Sequence, residues 1–307
     1  MTTEHSPEED VAGGLMVIRL GALGDVANTI PAVAALRRLD PPPHIAWVVE
    51  EGARDLVAAA GVADEVLVFP RRRIAGHLRR PWTWPKAAAE FLRFVRAVRA
   101  KRYDAALDFQ GNLKSGLLAM TSGCALTVGF ARGHCREGNW LFTRLQAVPA
   151  SRRMPRAEKN AALAQVLTPE IELGPVEIPV HAERAAAARA FAAEFSRRGP
   201  LLLLHPGTSA FGDFKRWPAE RYGALAARLA ERHNARCAVS WGPSERALAE
   251  AVAAASQGCA RPTPALDIPG LIELIRAADL FVAADTGPLH IAALLRRPVV
   301  ALYGPKD

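Results

Sequence analysis

The chain is predicted to be an α/β protein made of two doubly wound parallel-sheet domains facing each other across a cleft. Three observations predict it. Short apolar runs lack polar alternation and are each followed by a helical stretch, a glycine turn separates several such pairs, and periodicity breaks mid-chain before the same series starts again. Uninterrupted apolar strands are buried on both faces, which requires helices on both sides of a parallel sheet, and right-handed crossovers then wind each sheet doubly. At 307 residues, half of them hydrophobic, the chain can bury two ordinary cores.

The elements follow in order. Residues 15–20, Leu-Met-Val-Ile-Arg-Leu, are stopped by Gly21 and Gly24 and lead into an alanine-rich stretch to Arg38, which reads strand, turn, helix. Prolines 41–43 precede a strand at 44–49, a helix at 53–60 and a strand at 65–69. A helix over 86–102 sets Phe91, Leu92, Val95 and Val98 on one face and arginines on another. Strands at 105–109 and 126–130 flank a helix at 113–120. Residues 171–182, with Gly174, Pro175 and Pro179, read as a linker between a first domain, 1–170, and a second, 183–307. In the second, a helix at 185–197, a buried strand at 201–205, a helix at 221–232, a strand at 236–241 and a helix at 244–255 alternate. Segments 271–277, 280–284, 289–295 and 299–303 complete it.

Composition narrows the function. The acidic first ten residues lack a secretory pattern and read as a short lead-in, and no apolar run is long enough to span a bilayer, so the chain is expected in the cytoplasm. Cys124, Cys135, Cys237 and Cys259 show no paired spacing and read as small buried thiols; Cys124, His134 and Cys135 are set aside as metal ligands. A net charge of +8 points to anionic partners. Nucleic acid is excluded by the absence of any helix-turn-helix, zinc-finger or aromatic RNA-platform signature.

In doubly wound sheets ligands bind beyond the carboxyl ends of the strands, and three loops there carry polar chemistry. Gly21-Ala-Leu-Gly-Asp25 follows the first strand, with Asp25 either an N-cap or a base projecting toward a ligand, and Pro31 leaves Asp25 in a turn ahead of regular helix. His205-Pro-Gly-Thr-Ser209, followed by Lys215 and Arg216, offers the close backbone approach and cations that a diphosphate needs. Ala284-Asp-Thr-Gly-Pro-Leu-His290 opens a helix whose first amides, near Gly287, suit an anion. Asp285 would there orient the turn or meet sugar hydroxyls, and His290 is either half-buried structure or a ligand contact.

These residues, taken together, resemble glycosyltransferase family 9, the ADP-heptose:lipopolysaccharide heptosyltransferases. The signatures are Arg19-Leu-Gly-Ala-Leu-Gly-Asp-Val, His205-Pro-Gly-Thr-Ser with Lys215-Arg-Trp-Pro, and Asp285-Thr-Gly-Pro-Leu-His with Pro298-Val-Val-Ala-Leu-Tyr-Gly-Pro. Leu107-Asp-Phe-Gln-Gly-Asn-Leu-Lys-Ser115 is similar to a segment of the heptosyltransferase I branch. The resemblance implies the GT-B fold, acceptor on the first domain and nucleotide sugar on the second, and inverting, metal-independent transfer of heptose from ADP-heptose to a lipopolysaccharide inner-core acceptor, with no cofactor. The sequence agrees that no Asp-x-Asp pair is present to hold a divalent ion.

By the same resemblance Asp25 is the general base, and Lys215 with the Thr286 and Gly287 amides stabilises the departing diphosphate. Thr208 and Ser209 hold phosphate, Glu245 binds the ribose, and Asp285 and His290 lie beside the donor. The acceptor side is expected to use Gly24, Lys114 and the arginines Arg71, Arg72 and Arg73. Those arginines, with Arg79, Arg80, Arg93, Arg96 and Arg99, read either as a solvated surface or as a contact for an anionic lipid-linked saccharide at the inner membrane face. Asn28 stands where heptosyltransferase I members usually have histidine. The stop at Asp307 implies a second domain lacking its final helices. A family-9 transferase for another nucleotide sugar, or a binding protein without turnover, is the alternative.

Overall fold

The computed structural model describes residues 14–180, 182–196, 199–208 and 215–304. The chain divides into two compact units, Met1–Val176 and Glu177–Asp307. Each is an α/β layer structure around a wholly parallel sheet.

In the first unit the order of elements is β1 (Leu15–Ile18), α1 (Leu23–Ala27), α2 (Ile30–Leu36), β2 (Ile45–Glu50), α3 (Glu51–Ala60) and β3 (Glu65–Phe69). Then come α4 (Arg71–Leu78), α5 (Trp84–Arg99), β4 (Ala105–Asp108), α6 (Leu113–Thr121), β5 (Leu126–Phe130), β6 (Leu145–Ala147) and α7 (Arg156–Ala164). The sheet order is β3-β2-β1-β4-β5-β6. Strand order reverses between β1 and β4, so the loops that follow them open side by side at the carboxyl edge, where such folds bind ligands. All four residues of β1 are buried, as its unbroken apolar run requires. Met16, Ile18, Val48 and Ala106 from the sheet pack with Val95, Val98 and Leu118 from the helices into one core.

The second unit runs α8 (Ala182–Ser196), β7 (Leu201–His205), α9 (Ala219–His233), β8 (Arg236–Val239), α10 (Arg246–Ala255) and β9 (Ala260–Pro262). It ends with α11 (Ile268–Ala277), β10 (Leu280–Ala284), α12 (Gly287–Leu294) and β11 (Val299–Leu302). The order β11-β10-β7-β8-β9 reverses between β10 and β7. The four leucines of β7 are buried between α-helical layers, with Leu202 and Leu204 in one core beside Tyr222, Val239, Val252 and Val282.

Several local choices explain where elements begin. Asn112 accepts from the Ser115 amide and the Ser115 hydroxyl accepts from the Asn112 amide, a reciprocal cap that starts α6 directly after the β4 loop. Asp267 caps α11 through the Gly270 amide. Gly61 ends α3 in the left-handed region, at φ 64°.

The structure corrects four readings. Asp25 lies inside the one-turn helix α1, not in a turn ahead of a helix. Leu92 was expected on the apolar face of α5 but is 49% exposed; the buried residues there are Ala87, Val95 and Val98. Of the four cysteines only Cys237 is buried, the others being partly exposed. Elements α4, α7, β6 and β9 were not anticipated: α4 buries no residue and so shows no apolar period, and the two strands are three-residue edges.

Candidate active site

In the first unit the site grows from Arg19, the residue after β1. It is 2% exposed, flanked by β2 and β4, and its guanidinium makes two bonds. One nitrogen, Nη1, donates to the Phe109 carbonyl, and Nη2 lies 2.6 Å from Asp25 Oδ2. Burial pulls the Arg19 pKa down and the Asp25 carboxylate pulls it back up. Asp25 itself is one-third exposed, and its other oxygen lies 3.4 Å from Nε of Arg156 at the start of α7. The N-cap of α1 is Ala22, with no side-chain cap bond, so the N-cap alternative for Asp25 is overturned. Its carboxylate is instead a fixed, partly open group between two guanidiniums.

The turn between β1 and α1, just ahead of Asp25, is held from the loop that follows β4. The side-chain oxygen of Gln110 accepts from the amides of Leu20 and Gly21, at 3.1 and 3.4 Å. Gln110 is placed by Asp108, a fully buried carboxylate that accepts from the amides of Gln110 and Gly111, both 3.0 Å, and from Ser115 Oγ and Asn139 Nδ2 at 2.8 and 2.6 Å. Burial pushes the Asp108 pKa up, and these four donors oppose it. Gly24 is buried in α1, and its carbonyl accepts from both the amide and the side chain of Asn28.

The basic residues expected on the acceptor side separate. Glu50, at the end of β2, takes Lys114 on one oxygen and Arg71 on the other, each at 2.8 Å. Lys114 also lies 5.6 Å from the Phe69 ring centroid. Arg73 pairs instead with Glu90 at 3.7 Å, and Arg72 is exposed on α4. Successive helical residues point about 100° apart, so three adjacent arginines cannot share one target.

In the second unit three loops meet at the carboxyl edge, because β7 lies between β10 and β8. Lys215 Nζ is 2.8 Å from Asp285 Oδ2, and His290 Nε2 is 3.4 Å from Oδ1 of the same carboxylate. Asp285 therefore serves as a bridge between a lysine and the α12 histidine. Thr286 is the N-cap of α12 and makes no side-chain cap bond; Gly287 supplies the helix's first amide and Pro288 follows. Thr208 is buried with its hydroxyl 3.5 Å from Arg216 Nη2. Ser209 lies outside the described residues.

Glu245 closes the other side. Its Oε2 accepts from the Gly242 amide at 2.8 Å and lies 3.9 Å from His205 Nε2. The carboxylate sits over Gly207, where any Cβ would collide with it. His205 is buried, its Nδ1 3.0 Å from the Ser240 hydroxyl, and burial pushes its pKa down to about 4. The ring is thus neutral at pH 7 and acts as a wall for Glu245. Among the described residues no three His, Cys, Asp or Glu side chains are grouped to hold a metal ion.

Motif reading named Asp25, Lys215, Glu245, Asp285 and His290 but missed what positions them. Arg19 and Asp108 stood inside quoted motifs without an assigned task. Glu50 and Arg156 carried no signal, since their partners are 64 and 131 positions away.

The profile of glycosyltransferase family 9 (heptosyltransferase) matches residues 91–307. The chain belongs to glycosyltransferase family 9. Among family-9 relatives, lipopolysaccharide heptosyltransferase 1 of Escherichia coli K12 is 27% identical over 95% of this chain and 88% of its own length. Lipopolysaccharide heptosyltransferase 1 of Pseudomonas aeruginosa is 29% identical over 95% of this chain and 79% of its own. The solved structure of E. coli heptosyltransferase WaaC with ADP-2-deoxy-2-fluoro heptose superimposes with a TM-score of 0.76 at 26% identity, covering 95% of this chain and 89% of that one. The two parallel-sheet domains are those of a GT-B family-9 glycosyltransferase.

Proposed function

We propose that this family-9 enzyme transfers a heptose from ADP-heptose to an anionic, lipid-linked acceptor of the lipopolysaccharide inner core, with inversion at the anomeric carbon and without a metal ion. The observation that carries the reading is Asp25, a partly exposed carboxylate at the switch point of the first sheet, held by a buried arginine. The similarity to a heptosyltransferase solved with an ADP-heptose analogue supports the donor.

In this reading the first unit binds acceptor and the second binds donor. Asp25 accepts the proton of the acceptor hydroxyl as its oxygen attacks the anomeric carbon from the face opposite the diphosphate. The bond from that carbon to the diphosphate oxygen breaks, and ADP leaves with the electron pair. Lys215 and the first amides of α12, from Thr286 and Gly287, take up the charge that develops on it. Since Lys215 rests on Asp285, the diphosphate competes with that carboxylate for the ammonium, while His290 keeps Asp285 partnered. Thr208 and Ser209 meet phosphate oxygens, and Glu245, braced by Gly242 over Gly207, meets the ribose hydroxyls. Gly24, Lys114 and Arg71 form the acceptor side, with Lys114 and Arg71 oriented by Glu50, whereas Arg73 turns to Glu90 and Arg72 to solvent.

The test is calorimetric titration with ADP-heptose, ADP-glucose, UDP-glucose, GDP-mannose and dTDP-rhamnose, followed by transfer assays with the preferred donor. Selective ADP-heptose binding with transfer to a lipid-linked inner-core acceptor is the expected result. Preference for another sugar nucleotide would reassign the donor, and binding without turnover would make the chain a non-catalytic relative.

A further inference from the structure

Beyond the first turn of α4, which carries the acceptor-side Arg71, the hairpin of α4 and α5 has a tip to which the chemistry proposed above gives no task. Between residues 71 and 102 the chain has eleven arginines and lysines against one carboxylate, Glu90. Its inner side belongs to the fold: Ile74, Phe91 and Phe94 pack on the first core, and Phe94 meets Phe69 edge-on at 5.3 Å. The tip does the opposite. Leu78, Trp82 and Trp84 are 54%, 74% and 56% exposed, and neither α4 nor the 3-10 turn Pro81–Thr83 buries any residue.

This tip is a built corner. The Thr83 hydroxyl donates to the Arg80 carbonyl at 2.8 Å and also to that of His77, and the Trp84 indole donates to the Leu78 carbonyl at 3.2 Å. The Arg80 guanidinium lies 6.0 Å from the Trp82 ring centroid. Two indoles are therefore presented to solvent, one with the Arg80 guanidinium beside it, on a hairpin rich in arginine. Leaving so much apolar surface in water is unfavourable, and such patches mark docking sites. Nucleic acid would answer the charge and an apolar protein patch the indoles. The headgroup zone of an anionic bilayer answers both, since tryptophan settles at that depth and basic side chains meet lipid phosphates.

We propose that the 78–84 tip docks this protein on an anionic bilayer, with Trp82 and Trp84 at headgroup level and the surrounding arginines against lipid phosphates. The proposed lipid-linked acceptor gives this docking its purpose and rests on the function proposed above, but lipid binding is measured without donor or acceptor, so the two readings fail separately.

The experiment is co-sedimentation of the full chain with vesicles of phosphatidylcholine alone and with about one-third phosphatidylglycerol, at low and high salt. Binding to the anionic vesicles only, weakened by salt, is expected. Brominated lipid should quench tryptophan fluorescence in the native chain but not in Trp82→Phe/Trp84→Phe, which still binds. Trp82→Ser/Trp84→Ser should weaken vesicle binding roughly tenfold or more while ADP affinity, read by calorimetry, stays unchanged. Equal binding to neutral vesicles, no binding, full binding by the serine variant, or quenching that survives in the phenylalanine variant overturns the proposal. So does random-sequence RNA bound as tightly and lost in the serine variant, or self-association lost in it. If ADP binds no form of the protein, the donor reading fails while the vesicle result stands.

Discussion

Asp25 concentrates the chemistry of the first unit in a single carboxylate, and its geometry defines what its removal does. Arg19 orients it and Arg156 approaches its second oxygen, yet neither residue can take a proton from an acceptor. Asp25→Ala should lower kcat by about 10²–10⁴-fold, the usual contribution of a general base. Donor affinity, set in the other unit, should stay within about twofold by calorimetry. Comparable loss of both would make the residue structural. In the second unit, Gly207→Ala places a methyl against the Glu245 carboxylate, which must swing aside, and should weaken donor binding in the same direction as Glu245→Ala but by no more. His205 links that region to pH. Its folded pKa of about 4 lies below the ordinary histidine value, so between the two the unfolded chain binds more protons. Its stabilising contribution is complete above about pH 6.5 and lost as pH falls through 4, amounting to about 3 kcal/mol. Denaturant midpoints measured across that window should fall with pH, and His205→Gln should flatten the decline.

At the scale of elements, two devices bring the sites together. One is the strand order, which sets the loops of β2, β1 and β4 beside one another in the first sheet and those of β10, β7 and β8 in the second. The other is the turn from β4 into α6, where Asp108 organises Gln110 and Asn112 caps the helix. Asn112→Ala removes the side-chain acceptor for the Ser115 amide, which is one side of the reciprocal cap, and leaves the other in place. It should cost about 1 kcal/mol in chemical denaturation. The motif residues and most strands were legible before the structure because buried parallel strands announce themselves as apolar runs, with β7 and β10 falling at their expected bounds. Element α4 was not, because it buries no residue and shows no apolar period, and α7 was not, because its buried face is only Ala161, Leu163 and Ala164 beside Asn160, too short a run to show one.

For the molecule as a whole, the charge of +8 is unevenly spent. Much of it sits on the α4–α5 hairpin, while several site cations are already matched by Glu50, Asp25 and Asp285. Acceptor KM should therefore rise with ionic strength more steeply than donor Kd does, since exposed charges are screened beyond about 8 Å at physiological salt. Steady-state kinetics against calorimetry over a salt series measures the difference, and equal slopes would remove the hairpin from acceptor capture. No helix among the described residues is long and apolar enough to cross a membrane.

The sequence by itself determined the α/β class, the repeat of strand-turn-helix grammar in two halves, and the residues at the strand ends that carry the family signatures. Those features are local: apolar runs, glycine turns and short motifs depend on neighbours within a few positions. Only the tertiary structure decided that Asp25 is clamped by arginines and not a helix cap. It alone decided that Lys114 and Arg71 converge on Glu50 while Arg72 and Arg73 do not, and that the indoles of Trp82 and Trp84 face outward. Each of these depends on which strands become neighbours and which way a helix is turned, and distant residues acquire partners only when the sheet and its covering layers are assembled.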